Sequence, residues 1–161
     1  MTAPQAAPQA LSSPLPYARA MTPLGVRWRA HLALATGVAA VACALDLATK
    51  WAATSGALET VRFNPRPPAQ LAPFIAVVAL LLVATSLAGS TPLDLAAGAL
   101  AGGAFGNIAS AFAWRRGIPD FIPAHGVLLN GADLAMAIGI GGLVTVALLL
   151  AGREAAARAA R

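Results

Sequence analysis

Residues 93–114 read LDLAAGALAGGAFGNIASAFAW. The stretch is long enough to cross a bilayer, which takes about 20 mainly apolar residues. Its apolar residues are mostly small. Gly98, Gly102 and Gly106 recur at every fourth position, so they line one ridge of a helix. Small residues at that spacing let helix backbones approach closely inside a membrane. The stretch therefore predicts a spanning helix that packs tightly on its neighbours. Asn107 follows the ridge. An unsatisfied amide in hydrocarbon costs several kcal/mol, so Asn107 needs partners, either to staple helices together or to serve a site.

Three more apolar segments lie around this one, at residues 32–49, 71–87 and 128–151. The last repeats the small-residue device with Gly131, Ala135 and Gly139. The chain is 58% hydrophobic and 11% charged, with a mean hydropathy of +0.72. A soluble domain is about half apolar and roughly a quarter charged. The expectation is an all-α integral membrane protein: four transmembrane helices with a small β-prone extracytoplasmic loop after the first. At 161 residues it is one membrane unit.

The net charge of +5 is almost wholly arginine, because Lys50 is the only lysine. The arginines gather at the ends of the apolar runs, which favours lipid headgroups over nucleic acid as the partner. Cys43 lies within an apolar run and supports neither a disulfide nor a zinc site. His31 and His125 stand apart and make no metal-ligand spacing; both read as interfacial. Trp28, Trp51 and Trp114 flank the first and third spans, as interfacial anchors do.

Residues 1–24, rich in Ala, Pro, Ser and Gln, read as a disordered tail. Residues 25–152 read as the membrane domain, and residues 153–161 as a basic tail, a frayed helix resting on headgroups. Four spans put both termini on one side. Arginines at the termini slightly outnumber the cations of the other side, which leans towards cytoplasmic termini. Two longer loops share the opposite face. Residues 50–70 include ETVRFN, a β-prone patch, and PRPP, which breaks regular structure. Residues 115–127 follow the third span.

The chain has only six carboxylates, so their placing is informative. Asp46 and Lys50 are four apart and share a helix face; they read as an interfacial pair or as support for a site. Asp94 reads as a helix-start charge facing the N-terminal dipole. Asp120 alone is an ordinary loop acid, and Asp133 alone a capping carboxylate. Together on one membrane face, with Asn107 and Asn130 near in topology, they suggest a dyad. Two carboxylates forced together do not both ionise, so one keeps its proton near neutral pH. That supplies a base for water and an acid for a carbonyl, the chemistry of an aspartic protease.

Four stretches in order resemble the lipoprotein signal peptidase (signal peptidase II) family. DLATK (46–50) resembles its Asp-x-x-Ser/Thr-Lys. GGAFGNI (102–108) is similar to Gly-Gly-Ala-x-Gly-Asn-Leu. GIPDFI (117–122) resembles the Gly-x-Val-Val-Asp-Phe segment, with one residue fewer. LNGAD (129–133) resembles Phe-Asn-x-Ala-Asp. The resemblance implies a four-helix membrane fold with a small β-rich platform. It implies removal of signal peptides from diacylglyceryl-modified bacterial prolipoproteins, before the lipidated cysteine, at the outer face of the cell membrane. Asp120 and Asp133 would be the catalytic pair. Asn107 and Asn130 would orient the dyad or the substrate, and Asp46 and Lys50 would support the site. The implied partners are the prolipoprotein and membrane lipids, with no cofactor, no metal and no nucleic acid, acting as a monomer.

The chain also departs from the family. Where the family continues Asp-Arg, this sequence has Ser110 and Ala111. Arg115, one helical turn beyond Ala111, is expected to replace the lost arginine from the same face. Of the family's Asn-x-Gly-x-Ala-Phe after the first span, only Asn64 has a counterpart. The competing readings are a catalytically inactive relative acting as a membrane interaction protein, and an ion pathway using the aspartates as a relay.

Overall fold

The computed structural model describes residues 24–57 and 60–160. The tail expected over residues 1–24 therefore lies outside them save for Leu24, as does Glu59 of the β-prone patch. The described chain is mostly helical, with two small sheets.

Helix α1 (Leu24–Ala52) runs past both ends of the expected first span and continues into a wider turn, Ala53–Ala57. Gly56 kinks that turn with φ 99°, a left-handed value that glycine adopts without steric cost. Helix α2 (Pro68–Ala88) starts inside the PRPP stretch. Proline suits a first helical turn, where its missing N–H would be unpaired anyway. Gly89, at φ 65°, closes α2 by donating its N–H to the Ser86 carbonyl. Helices α3 (Thr91–Ala113) and α4 (Gly131–Ala159) complete the set. Among the described residues, three segments are long and apolar enough to cross a membrane: Arg27–Gly56, Thr91–Ala113 and Gly131–Ala159. Helix α2 adds a shorter apolar run, Pro73–Ala88.

Helix α3 lies at the centre and packs on the other three helices. Its glycine ridge meets α1, as the spacing predicts. A Cβ on Gly102 would stand 2.6 Å from the Ala39 carbonyl oxygen, and one on Gly106 2.5 Å from an Asp46 carboxylate oxygen. Neither position has room for a side chain. On α4, Gly139 makes the matching approach to the α3 backbone at Leu100. The interior is accordingly lined by small and polar side chains, with Ala97, Ala101, Ser110 and Asn107 all buried. Large apolar side chains point outward: Leu80, Phe112, Ile138 and Leu148 are 68–71% exposed. This reverses the usual arrangement of a protein in water.

The loops are more ordered than the sequence suggests. Strand β1 (Arg62–Asn64) falls in the β-prone patch and pairs antiparallel with β2 (Ile118–Asp120), Arg62 opposite Asp120. Strands β3 (Ile122–Ala124) and β4 (Val127–Leu129) form a hairpin that the residue pattern does not predict. Its turn is His125–Gly126, with φ of 43° and 86°, the paired left-handed geometry of a two-residue hairpin. Pro119 and Pro123 mask these strands. In two-stranded sheets every strand is an edge, where proline is tolerated.

Three expected boundaries move. The fourth span is expected from residue 128, but Val127–Leu129 is strand and α4 begins at Gly131, because Asn130 caps the helix. The basic tail at 153–161, expected as a separate frayed helix, instead continues α4 without a break through Ala159. Its alanines favour helix, and Glu154 and Arg158 pair across one turn at 3.6 Å. Helix α3 stops at Ala113 because Trp114 turns extended.

Candidate active site

Six of the seven residues expected at a site converge at the end of the bundle where α4 starts. Each is placed by an identifiable local cause. Asn130 is the N-cap of α4, and its side-chain oxygen accepts from the Asp133 N–H at 3.1 Å. Asp133 answers by accepting from the Asn130 N–H at 3.1 Å, completing a capping box. Asp133 thus caps the helix with one oxygen and keeps the other for a further partner. Its other oxygen, Oδ1, accepts from Asn107 Nδ2 at 3.1 Å. Asn130 Nδ2 donates to Asp120 Oδ1 at 2.6 Å. One asparagine therefore ties both aspartates.

A buried ion pair stands behind them. Lys50 Nζ donates to Asp46 Oδ2 at 2.7 Å, to Asn107 Oδ1 at 2.8 Å and to Ser110 Oγ at 3.0 Å. Asp46 Oδ1 accepts from the Ala132 N–H at 2.7 Å. Both side chains are essentially fully buried, so the pair is not the interfacial one that spacing alone allows. Because Lys50 holds the Asn107 oxygen, the amide must present its NH₂ to Asp133. Gly106 leaves the space that Asp46 fills. Ser110, where the resembling family carries Asp, is buried and satisfied: it accepts from Lys50 and donates to the Gly106 carbonyl at 2.6 Å.

Asp120 and Asp133 line one pocket of about 140 Å³ together with Asn64, Arg66, Asn107 and Asn130. Burial pushes the Asp120 carboxyl above its ordinary range. The Asn130 hydrogen bond opposes this, the Asp133 charge adds to it, and Lys50 and Asn64 oppose it more weakly. A pH-dependent stability follows. With the folded pKa above the unfolded one, the unfolded chain ionises first as pH rises. The ionised group then costs stability at high pH and nothing below the unfolded value of about 3.9. Asp120→Asn keeps an oxygen for Asn130 and removes the charge. It is expected to unfold at a higher temperature than wild type at pH 8 and at the same temperature at pH 3, by thermal unfolding in detergent.

Arg115 is not part of this assembly. It is expected on the face of Ala111, one turn on, but α3 has already ended and Arg115 stands exposed in the following turn. Its neighbour Arg116 packs over the Phe63 ring, 4.4 Å from the centroid, and so ties the end of α3 to β1. Arg66, which the sequence motifs do not place at the site, borders the pocket instead, beside Asn64, the one counterpart of the family's motif after the first span. The β1–β2 pairing brings both there, and nothing local in the sequence signals it. A smaller apolar pocket of about 90 Å³, with Phe74, Ile108 and Met136, adjoins the first and shares Arg66 and Asn107. Away from the site, His31 pairs with the buried Asp94, a partner the helix-start reading of Asp94 does not foresee.

Compared with protein-family models, with curated proteins and with solved structures, the chain finds no match in any of the three.

Proposed function

We propose that the chain is a membrane-embedded aspartic endopeptidase of the lipoprotein signal peptidase type, removing signal peptides from diacylglyceryl-modified bacterial prolipoproteins. The observation that carries this is the pair Asp120 and Asp133, tied through Asn130 and facing one pocket. In this reading α1, α2, α3 and α4 are four spans of the bacterial cell membrane, with cytoplasmic termini and the aspartates at the outer face. Asp133 accepts hydrogen bonds from Asn107 and Asn130, which hold its carboxylate in place; in this reading it is the base that takes a proton from water. Asp120, pushed towards its protonated form, donates to the scissile carbonyl. The roles exchange as the amine leaves.

Arg66 takes the part that helical spacing assigns to Arg115. It borders both the aspartate pocket and the apolar one beside it, so it meets substrate on the way to the dyad. Arg66→Ala is expected to raise KM roughly tenfold, the loss of about one hydrogen bond from a charged donor. Arg115→Ala is expected to match wild type. Initial rates on one lipidated substrate compare them.

The reading itself is tested with purified protein in detergent and a diacylglyceryl-modified prolipoprotein, following loss of the signal peptide by gel shift. Cleavage before the lipidated cysteine supports it. A folded protein that cleaves none of several such substrates would refute it and favour the inactive relative. Ion flux in vesicles without proteolysis would favour the relay.

A further inference from the structure

The end of the bundle away from the aspartates holds a second polar centre that the peptidase reading does not use. His31 Nδ1 on α1 meets Asp94 Oδ2 on α3. Asp94 is fully buried, and its other oxygen has no hydrogen-bond partner. The hydrogen bond to Asp94 fixes the imidazole from below. Nε2 turns towards the α2–α3 connection, where a Cβ built on Gly89 would lie 3.8 Å away. A pocket of about 320 Å³ opens there, between Arg27, Trp28 and His31 of α1 and the last turn of α2. That is a fair size for a small polar group, since ligand pockets begin at about 300 Å³.

The depth of this pocket is set by α1. His31 and Lys50 stand nineteen residues apart on one helix, about 28 Å at 1.5 Å per residue. That matches a hydrocarbon core of about 30 Å. With the aspartate site at one headgroup level, the His31 pocket stands at the other. Trp28 is the aromatic expected at that level.

The two walls of the pocket differ in charge. Arg27 and His31, four apart on α1, share one wall. With Nδ1 held by Asp94, Nε2 is the ring atom left to meet a ligand in the pocket. The opposite wall is the C-terminal turn of α2, which carries the negative end of the helix dipole. Among the described residues, the Gly89 N–H closes on Ser86, and no backbone N–H reaches the carbonyls of Leu87 or Ala88. These open carbonyls suit a cationic donor.

We propose that this pocket binds the headgroup of a phospholipid bearing both a phosphodiester and an ammonium, the ethanolamine class. The phosphate sits on Arg27 and His31, and the ammonium on the open carbonyls of α2. A purely anionic headgroup would leave those carbonyls unmatched. The inference rests on the chain spanning a bilayer and is independent of proteolysis.

The test is native mass spectrometry of the full chain, delipidated in detergent and titrated with phosphatidylethanolamine, phosphatidylglycerol or inorganic phosphate. One ethanolamine lipid should be retained per chain, in preference to the glycerol lipid. Arg27→Ala should reduce retention about tenfold, as expected for losing a charge-assisted contact to phosphate. Arg27 is exposed, so this variant keeps the fold, whereas His31→Ala would strand the buried Asp94. Equal retention by Arg27→Ala and wild type, or no preference between the two lipids, overturns the proposal. Displacement of the lipid by millimolar inorganic phosphate would identify free phosphate as the ligand and equally overturn it. A chain that holds the ethanolamine lipid yet cleaves no prolipoprotein refutes the peptidase reading and leaves this one standing.

Discussion

Asp120→Asn and Asp133→Asn should each lower prolipoprotein cleavage by about 10²–10⁴-fold, the usual contribution of a positioned acid or base. The two variants fail for different reasons. Asp120→Asn keeps the oxygen that accepts from Asn130, so the pocket keeps its shape and only the exchangeable proton is lost. Asp133 accepts from Asn107 with one oxygen and from the Asn130 N–H with the other. An asparagine there has one acceptor for two donors. Asp133→Asn therefore also loosens the start of α4, by about 1 kcal/mol on the scale of a lost cap. Activity and thermal unfolding measured side by side separate the effects. Asp120→Asn should be inactive and no less stable than wild type, Asp133→Asn inactive and slightly less stable. Full cleavage by either variant would remove that residue from the chemistry. In wild type the rate should fall on the alkaline side as Asp120 gives up its proton, consistent with burial holding that proton on.

Lys50→Met is expected to be the most destabilising single change, costing about 3–5 kcal/mol, because it leaves a buried carboxylate without its partner. Lys50 and Asp46 are 0% and 2% exposed, so water cannot compensate. The double variant Asp46→Asn/Lys50→Met removes both charges and keeps an oxygen for the Ala132 N–H. It should recover most of the lost stability, since a neutral replacement for a buried pair is often close to neutral overall. It should not recover cleavage. With no ammonium on its oxygen, Asn107 is free to turn, and Asp133 loses its oriented donor. Unfolding in detergent for the single and double variants, with rates for both, tests this. A double variant as unstable as the single one would show that packing, not charge, holds α1 to α3.

The helices are legible in the sequence because their signals are local. The spacing of Gly98, Gly102 and Gly106 predicts a close-packed face, and α1 lies against it. DLATK and LNGAD carry Lys50 and Asp133 on helices that the residue pattern predicts, and their likeness to the signal peptidase motifs singles both out. What escapes it depends on partners distant in the chain. The β1–β2 pairing joins residues about 56 apart in sequence, and through it Arg66 comes to border the pocket of the aspartates. His31 and Asp94 look like separate interfacial groups because only the α1–α3 packing makes them neighbours. Arg115 misleads in the opposite way. The helix rule that puts it beside Ala111 holds only while the helix continues, and Trp114 ends it. At Asp133 a cap does not preclude a second role, since a carboxylate has two oxygens and only one closes the capping box.

The burial of Lys50 also makes it a chemical reporter. It is the chain's only lysine, and its side chain is wholly enclosed. Amine-reactive esters should leave that side chain untouched while the bundle stays closed and acylate it when α1 parts from α3. The rate of acylation at this one position then counts openings of the bundle, with no label introduced and no residue changed.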